Sequence, residues 1–218
     1  MRKRFEDQLN ELGRQVNKMS EYLDEALTMT VEALVSKDVK LAEKTILLDL
    51  TIDEIEKDIE TLCLRLLMQQ QPVASDLRFI SSALKIITDM ERIGDHAADI
   101  SENIIYMSKE DYTPHISDLL KMAEVASKMT KDSTRAFVQK NLELAREVLT
   151  KDDEVDDIYL KVKLDLIKKM QQDTSFGEQA LDLMMIAKYL ERIGDHAENI
   201  AEWVEFAITG VHRYKADN

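Results

Sequence analysis

The side chains with the clearest capacity for chemistry in this chain are acids that belong to a repeated motif. The heptapeptide Glu-Arg-Ile-Gly-Asp-His-Ala occupies positions 91–97 and again positions 191–197. An identical heptapeptide repeated within 218 residues indicates an internal duplication. Each copy is followed by another side chain that offers an oxygen, Asp99 in the first copy and Asn199 in the second. The polar residues that both copies contain are therefore the first candidates for a binding site.

The repeated acids interrupt an apolar helical face. On a helical wheel that advances about 100° per residue, Leu84 and Ile87 fall within about 40° of Glu91. Asp95 lies on the same face, one turn after Glu91. A carboxylate on such a face is prone to burial, and it then needs a cation, a proton or several hydrogen-bond donors.

A second pair of acids precedes each copy of the motif by one predicted helix. Asp49 and Asp53 are four residues apart within an apolar pattern, and so are Asp152 and Asp156. Acids at this spacing lie on neighbouring turns of one helical face. Each half of the chain therefore carries two acid pairs on consecutive helices.

The positions of the turns predict that these pairs meet. Residues equally distant from the turn of an antiparallel hairpin lie level with each other. Positions 53 and 91 are symmetric about Pro72, where a turn is predicted, and positions 156 and 191 are symmetric about the bond between residues 173 and 174. Four carboxylates are expected to converge in each hairpin. The two sets are Asp49, Asp53, Glu91 and Asp95 in the first half, and Asp152, Asp156, Glu191 and Asp195 in the second.

Four carboxylates at close quarters repel one another unless a positive charge lies among them. A multivalent cation is the simplest such charge, and ligand sets made only of oxygen suit magnesium, calcium, manganese or iron(III). Asp99 and Asn199, one turn further along, are expected to add a ligand in each half. The alternative is that Arg92 and Arg192, with nearby lysines, neutralise the acids in surface ion pairs.

The remaining residues of the motif are predicted to support this site. His96 and His196 point about 140° away from the glutamates, so they are placed at its edge. Gly94 and Gly194 lie in the middle of a helix, where glycine costs ~1 kcal/mol relative to alanine. A close approach of two helices beside the acids would explain both glycines.

The elements that hold these acids are predicted to be six helices. The first ends at 36–38, the second runs to about 70, and the third runs from 74 or 75 to about 108, with Asp38 as the cap of the second. Thr113 followed by Pro114 predicts the start of a fourth helix over about 114–139. Asn141 caps a fifth that runs to about 172, a capping box at 175–178 starts the sixth, and Gly210 ends it.

Each half is thus a helix followed by a long antiparallel hairpin. The expected fold is all-α, with two pseudo-symmetric three-helix bundles that could share one elongated core. Residues 1–109 form the first predicted bundle and residues 114–218 the second.

The composition argues against several classes of protein for this chain. A hydrophobic content of 44% allows a real core, and a net charge of −14 argues against binding of nucleic acid. The single cysteine, Cys63, excludes an intrachain disulfide and a thiolate zinc cluster. No apolar run is long enough to predict a membrane-spanning helix, and the first residues do not resemble a signal peptide. We therefore expect a cytoplasmic protein.

The motifs resemble those of the PhoU phosphate-uptake regulators. The resemblance rests on the paired Glu-Arg-Ile-Gly-Asp segments, the turn at 71–78 (Gln-Pro-Val-Ala-Ser-Asp-Leu-Arg) and the Asp49-x-x-x-Asp53 helix, and it covers nearly the whole chain. The second half has a different turn, at 172–177, and a connection between its acid pairs that is three residues shorter.

The resemblance implies two three-helix bundles and acidic motifs that bind metal clusters of iron or zinc. It further implies a negative regulator of phosphate uptake and phosphate-starvation signalling. Such a regulator would connect the ATPase subunit of the phosphate ABC transporter with a membrane sensor histidine kinase; a homodimer is left open. The implied metal ligands are Asp49, Asp53, Glu91, Asp95, Asp99, Asp152, Asp156, Glu191, Asp195 and Asn199.

Two other interpretations remain at this point. A di-metal carboxylate enzyme on a helical bundle usually contains Glu-x-x-His pairs. No histidine of this chain has a glutamate three positions before it, which argues against that class and favours a protein that is not an enzyme. A plain scaffold with buried acid networks would hold no metal after dialysis.

Overall fold

The computed structural model describes residues 2–69, 73–108 and 116–212, and these residues contain α-helices, one 3-10 turn and no strand. The side chains of residues 2, 4 and 69 are outside the description. The helices are α1 (Arg2–Ser36), α2 (Val39–Gln69), α3 (Ala74–Met107), α4 (Ser117–Gln139), α5 (Leu142–Leu149), α6 (Asp152–Gln172) and α7 (Gly177–Thr209), with the 3-10 turn at Thr174–Phe176.

The helices form two three-helix bundles, as the sequence predicts. α1, α2 and α3 pack together in the first bundle, and α4, the α5–α6 pair and α7 in the second. The bundles join because α3 lies along α7 and α1 along α4. Phe79 of α3 stacks on Phe137 of α4, with 4.5 Å between ring centroids. One continuous hydrophobic core, from Phe5 to Val204, runs through both bundles.

Most of the predicted helix caps are confirmed. Asp38 Oδ1 accepts hydrogen bonds from the backbone N–H groups of residues 40 and 41, and Asn141 Oδ1 accepts one from that of Leu144. Gly210 ends α7 with a φ of 76°. The predicted capping box at Ser175 is wrong, because Asp173 caps the 3-10 turn by accepting from the backbone and hydroxyl of Ser175.

The middle helix of the second half is not continuous. The sequence predicts one helix from Asn141 to about 172, whereas α5 ends at Leu149 and α6 begins at Asp152. The hydroxyl of Thr150 donates to the carbonyl of Glu147, which is a local bond that competes with helical pairing. Acids crowd the first turn of α6, where the positive end of the helix dipole stabilises them.

Three predicted features fall outside the described residues. They are the turn at Pro72, the helix start at Thr113 and Pro114, and the domain boundary between 109 and 114. Among the described residues, we found no helix that is both long and apolar enough to cross a membrane.

Candidate metal centre

The first cluster of acids lies between α2 and α3. Asp49 and Asp53 on α2 and Asp95 on α3 each place a carboxylate oxygen so that the three atoms lie within 4.8 Å of one another. Asp49 and Asp53 are partly buried, and Asp95 is exposed. The predicted hairpin geometry therefore brings three of the four level acids into one group.

Two oxygens of this first cluster are buried and lack a protein partner. Asp49 Oδ1 and Asp53 Oδ1 are inaccessible to solvent and accept no hydrogen bond from any described residue. Removing a carboxylate oxygen from water without a partner costs about 1–3 kcal/mol or more. A cation between the two side chains would remove that cost, so the donor set fits a hard, oxygen-preferring metal ion.

The glycine of the motif makes room for the acids. A Cβ atom added at Gly94 would lie 2.7 Å from Asp49 Oδ1 and 3.2 Å from Ile52 Cδ1. At Gly194 the nearest contact would be 3.3 Å, to Val155 Cγ1 of α6. Both glycines therefore allow the close helix approach that the sequence predicts, and Gly94 lies directly against a carboxylate.

The charges of the first cluster are unbalanced. Burial, and then the neighbouring charges led by Asp95, raises the pKa of Asp49 to about 7. Partial burial of its carboxylate also raises the pKa of Asp95, although the residue as a whole is exposed, and burial raises the pKa of Glu91 with further contributions from Asp95 and Asp53. These groups disfavour their charged forms in the protein alone, as expected where a positive ion is needed.

The second cluster lies at the equivalent place between α6 and α7. Asp156 of α6 and Glu191 and Asp195 of α7 place one oxygen each within 4.8 Å of one another. Burial is the main cause that raises the pKa of Asp156 and Asp195, and Glu191 adds to both shifts. Lys188 Nζ donates to Glu191 Oε1 at 2.6 Å, so this cluster already contains one cation.

The comparisons with known proteins agree with the duplicated architecture. The PhoU domain matches the chain twice, at residues 16–104 and 119–204. The chain belongs to the PhoU domain family.

Its PhoU-family relatives match over most of their length. The chain is 39% identical over 210 residues to the phosphate-specific transport system accessory protein PhoU homolog of Clostridium acetobutylicum, and the match covers 96% of each chain. It is 39% identical over 185 residues to the protein of that name from Aquifex aeolicus, with 85% of this chain and 84% of the relative covered. These relatives are described as accessory proteins, not as enzymes, which confirms the expectation of a non-enzymatic protein.

Solved PhoU structures share the fold. The crystal structure of PhoU from Pseudomonas aeruginosa superposes with a TM-score of 0.91 at 31% identity, covering 95% of this chain and 100% of that one. The phosphate transport system regulatory protein PhoU from Streptococcus pneumoniae gives 0.89 at 28% identity, covering 96% of this chain and 99% of that one. The all-α fold of two three-helix bundles is thereby confirmed.

Three acids and one amide among the expected metal ligands lie outside the two groups of three acids described above. Glu91 is close enough to Asp95 and Asp53 for their charges to raise its pKa, so it borders the first group. Asp152 is the first residue of α6, because the helix break precedes it. The assignment of all ten residues that the family resemblance implies as metal ligands stays a prediction.

The other two outliers face neighbours at the junction of the bundles. Asp99 Oδ2 lies 3.3 Å from His96 Nδ1. Asn199 Nδ2 donates to Asp89 Oδ1 at 3.4 Å, and that oxygen is also 2.8 Å from His196 Nδ1.

The two motif histidines meet at the centre of the molecule. The rings of His96 and His196 stack with 5.5 Å between centroids, where α3 lies along α7. Neither belongs to an acid group in the described part of the chain, which agrees with their predicted place at the edge of the site. Sequence reasoning missed Asp89 because the second copy has Tyr189 at that position, and comparing copies reveals only what they share.

The motif arginines do not neutralise the acids by contact. Arg92 and Arg192 are exposed, and neither forms an ion pair with a described residue. The alternative of surface ion pairs is wrong for both arginines, whose side chains extend into solvent, whereas for the lysines it is met at one pair, Lys188 with Glu191. Arg92 acts only at longer range, where it slightly offsets the raised pKa values of Glu91 and Asp95.

Proposed function

We propose that this chain is a metal-binding, non-catalytic regulatory protein of phosphate transport. The observation that carries the metal-binding part is the pair of buried, unpartnered oxygens of Asp49 and Asp53 beside Asp95. The names of the PhoU-family relatives carry the phosphate-transport part.

The first cluster would hold its ion through Asp49, Asp53 and Asp95, with Glu91 beside them. The second cluster would use Asp156, Glu191 and Asp195. A multivalent ion such as magnesium, manganese, iron or zinc would supply the positive charge that these oxygens lack. Bound between two helices, it would fix the geometry of each hairpin and stabilise the folded chain.

The regulatory part of the proposal is that of a cytoplasmic adaptor. Helical bundles with long exposed helices offer surfaces to more than one protein. By family resemblance, the partners are the ATPase subunit of the phosphate ABC transporter and a membrane sensor histidine kinase, and the regulation of uptake and starvation signalling is negative. A homodimer stays a prediction as well.

Elemental analysis of the purified protein tests the metal part. We expect the wild type to retain multivalent metal after dialysis and the double variant Asp95→Ala/Asp195→Ala to lose most of it. Asp58→Ala is the matched control, because Asp58 is an exposed acid on α2 outside the cluster. Equal metal in the wild type and the double variant would contradict the ligand assignment.

A binding assay tests the adaptor part separately. The purified chain is expected to retain the ATPase subunit of the phosphate transporter on an affinity column when its metal is bound. Metal loading without retention of the ATPase subunit would leave the metal site intact and remove the proposed link to the transporter.

A further inference from the structure

The two acid clusters are related by the internal repeat but differ in one charge. Position 188 of the second copy is a lysine, whereas the equivalent position 88 of the first copy is a threonine. Lys188 Nζ donates to both carboxylate oxygens of Glu191, at 2.6 Å for Oε1. The hydroxyl of Thr88 donates to the carbonyl of Leu84 in its own helix, at 3.2 Å. Among the described residues, only the second cluster therefore has an ammonium group bound to one of its acids.

A second difference holds that ammonium group in place. Lys188 Nζ lies 5.5 Å from the centre of the Tyr159 ring on α6, a distance suited to a cation–π contact. Asp53 corresponds to Asp156 at a spacing of 103 positions, and by the same spacing Tyr159 corresponds to Glu56. The first cluster thus has an additional acid where the second has an aromatic ring that supports a lysine.

The ion pair between Lys188 and Glu191 is also partly buried. The Glu191 side chain is only 14% exposed and that of Lys188 is 37% exposed, so solvent screens this ion pair incompletely. A metal ion that binds Glu191 must displace the ammonium group or accept a second positive charge beside it. At the first cluster no such competitor contacts Asp49, Asp53 or Asp95 from the described residues.

We propose that the two clusters are unequal cation sites, with Lys188 as a built-in counter-ion that weakens metal binding at the second. The inference rests on the proposed metal-binding function and adds a ranking of the sites. The first cluster fills at low metal concentration, and the second fills only when metal outcompetes the lysine. The difference in affinity is expected to be about tenfold or more. The chain would then have a singly loaded state over a defined range of metal concentration.

A titration of the metal-free full-length protein with manganese(II) tests this ranking. Free manganese is followed by electron paramagnetic resonance, and heats of binding are measured in parallel. The wild type should show two classes of site. Asp53→Asn should remove the tight class and Asp156→Asn the weak class, because these residues are equivalent members of the two clusters.

The decisive experiment exchanges the residues at the equivalent positions 88 and 188 between the two copies. Lys188→Thr should strengthen the weak class by about tenfold, and Thr88→Lys should weaken the tight class by a similar factor. Lys168→Thr removes the same charge from α6 away from the cluster and should change neither class. Circular dichroism confirms that each variant is folded, and Thr88 is exposed enough to accept a lysine.

The outcomes separate this inference from the function on which it rests. Equal affinity of both sites in the wild type, or an unchanged weak class in Lys188→Thr, would overturn the ranking while metal binding stands. Absence of manganese binding at both clusters would overturn the proposed metal function and the ranking together.

Discussion

Asp49 is the residue at which burial, charge and packing act together. Its Oδ1 atom is buried without a partner among the described residues, and the missing side chain of Gly94 provides the space for it. The pKa of its carboxyl is raised to about 7 by burial and by the surrounding acids. A side chain in this position binds either a proton or a cation, so two predictions concern it directly.

The stability of the metal-free protein is expected to fall as the pH rises from about 4 to about 7. The folded pKa of Asp49 is about 7 and its usual value is 3.8, so the folded state binds the extra proton between these values. Folding therefore takes up a proton within this window, and above it the folded state must hold a charged carboxylate that is partly buried among other acids. Urea denaturation in the presence of a chelator, at several pH values, measures the slope. Asp49→Asn should flatten it, and an unchanged slope in that variant would assign the effect to other groups.

Gly94→Ala is expected to weaken metal binding at the first cluster by about tenfold with little loss of stability. The new methyl group would push Asp49 Oδ1 from a position 2.7 Å away. Alanine favours the helix by ~1 kcal/mol over glycine, which offsets part of the local strain. The matched control is Gly194→Ala, whose methyl would meet Val155 instead of an acid. Manganese titration and thermal unfolding of both variants give the comparison, and equal losses of affinity would refute the role of Gly94.

The residue scale also shows what comparison of the two copies can and cannot find. Asp53, Asp95, Asp156 and Asp195 were predictable because both copies kept them on apolar faces and the turns set their level. Lys188 was not, because it occurs in one copy only and its role depends on the position of its ammonium group. The copies therefore reveal the shared site and conceal its asymmetry.

At the scale of elements, the two hairpins differ in the helix that leads into them. α2 is continuous through Asp49, whereas α5 and α6 are separated at residues 150–151 and Asp152 becomes the start of a helix. α5 is eight residues long, too short to be stable on its own. Its position depends on packing and on an ion pair between Arg146 and Glu205 of α7, at 2.8 Å.

Arg146→Ala is expected to lower the free energy of unfolding by about 1–2 kcal/mol. Glu205 is 8% exposed at its side chain and would lose a charged donor, while the half-exposed arginine limits the loss. Arg135→Ala removes a pair with Asp132, three residues away on α4, whose side chain is 17% exposed; such a local pair within one helix should cost about 0.5 kcal/mol or less. Urea denaturation of the two variants checks the difference. Equal effects would mean that the pair does not anchor α5.

The helices themselves were largely predictable, and the exceptions have local causes. Caps at Asp38, Asn141 and Gly210 depend on residue type and position, so the sequence indicates them directly. The break before α6 depends on a hydroxyl bond at Thr150 and on acids at a helix start, and the same residues also fit a continuous amphipathic helix. Competition between two acceptable local structures is decided by tertiary packing, which the pattern does not contain.

At the scale of the whole molecule, the two bundles are pseudo-symmetric but not independent. One hydrophobic core passes through both, and α3 lies along α7 at the junction. The stacked histidines and the contact between His196 and Asp89 lie at this junction, one residue after the acids of each cluster. A change at one cluster is therefore expected to affect the stability of both bundles.

Metal at the first cluster is expected to raise the melting temperature of the second bundle. In the Asp156→Asn variant, manganese at about 100 times its dissociation constant for the first cluster would stabilise the folded state by about 2.7 kcal/mol. For a chain of this size, that stabilisation corresponds to a rise of roughly 5–10 °C. The chain has one tryptophan, Trp203 on α7, which lines a pocket with Lys85 and Asp89 of α3, so its fluorescence reports α7 at the junction of the bundles. Because the core is continuous, the tryptophan transition and the loss of helix by circular dichroism should shift together. A rise seen in circular dichroism alone, with Trp203 melting at its metal-free temperature, would show that the bundles unfold separately.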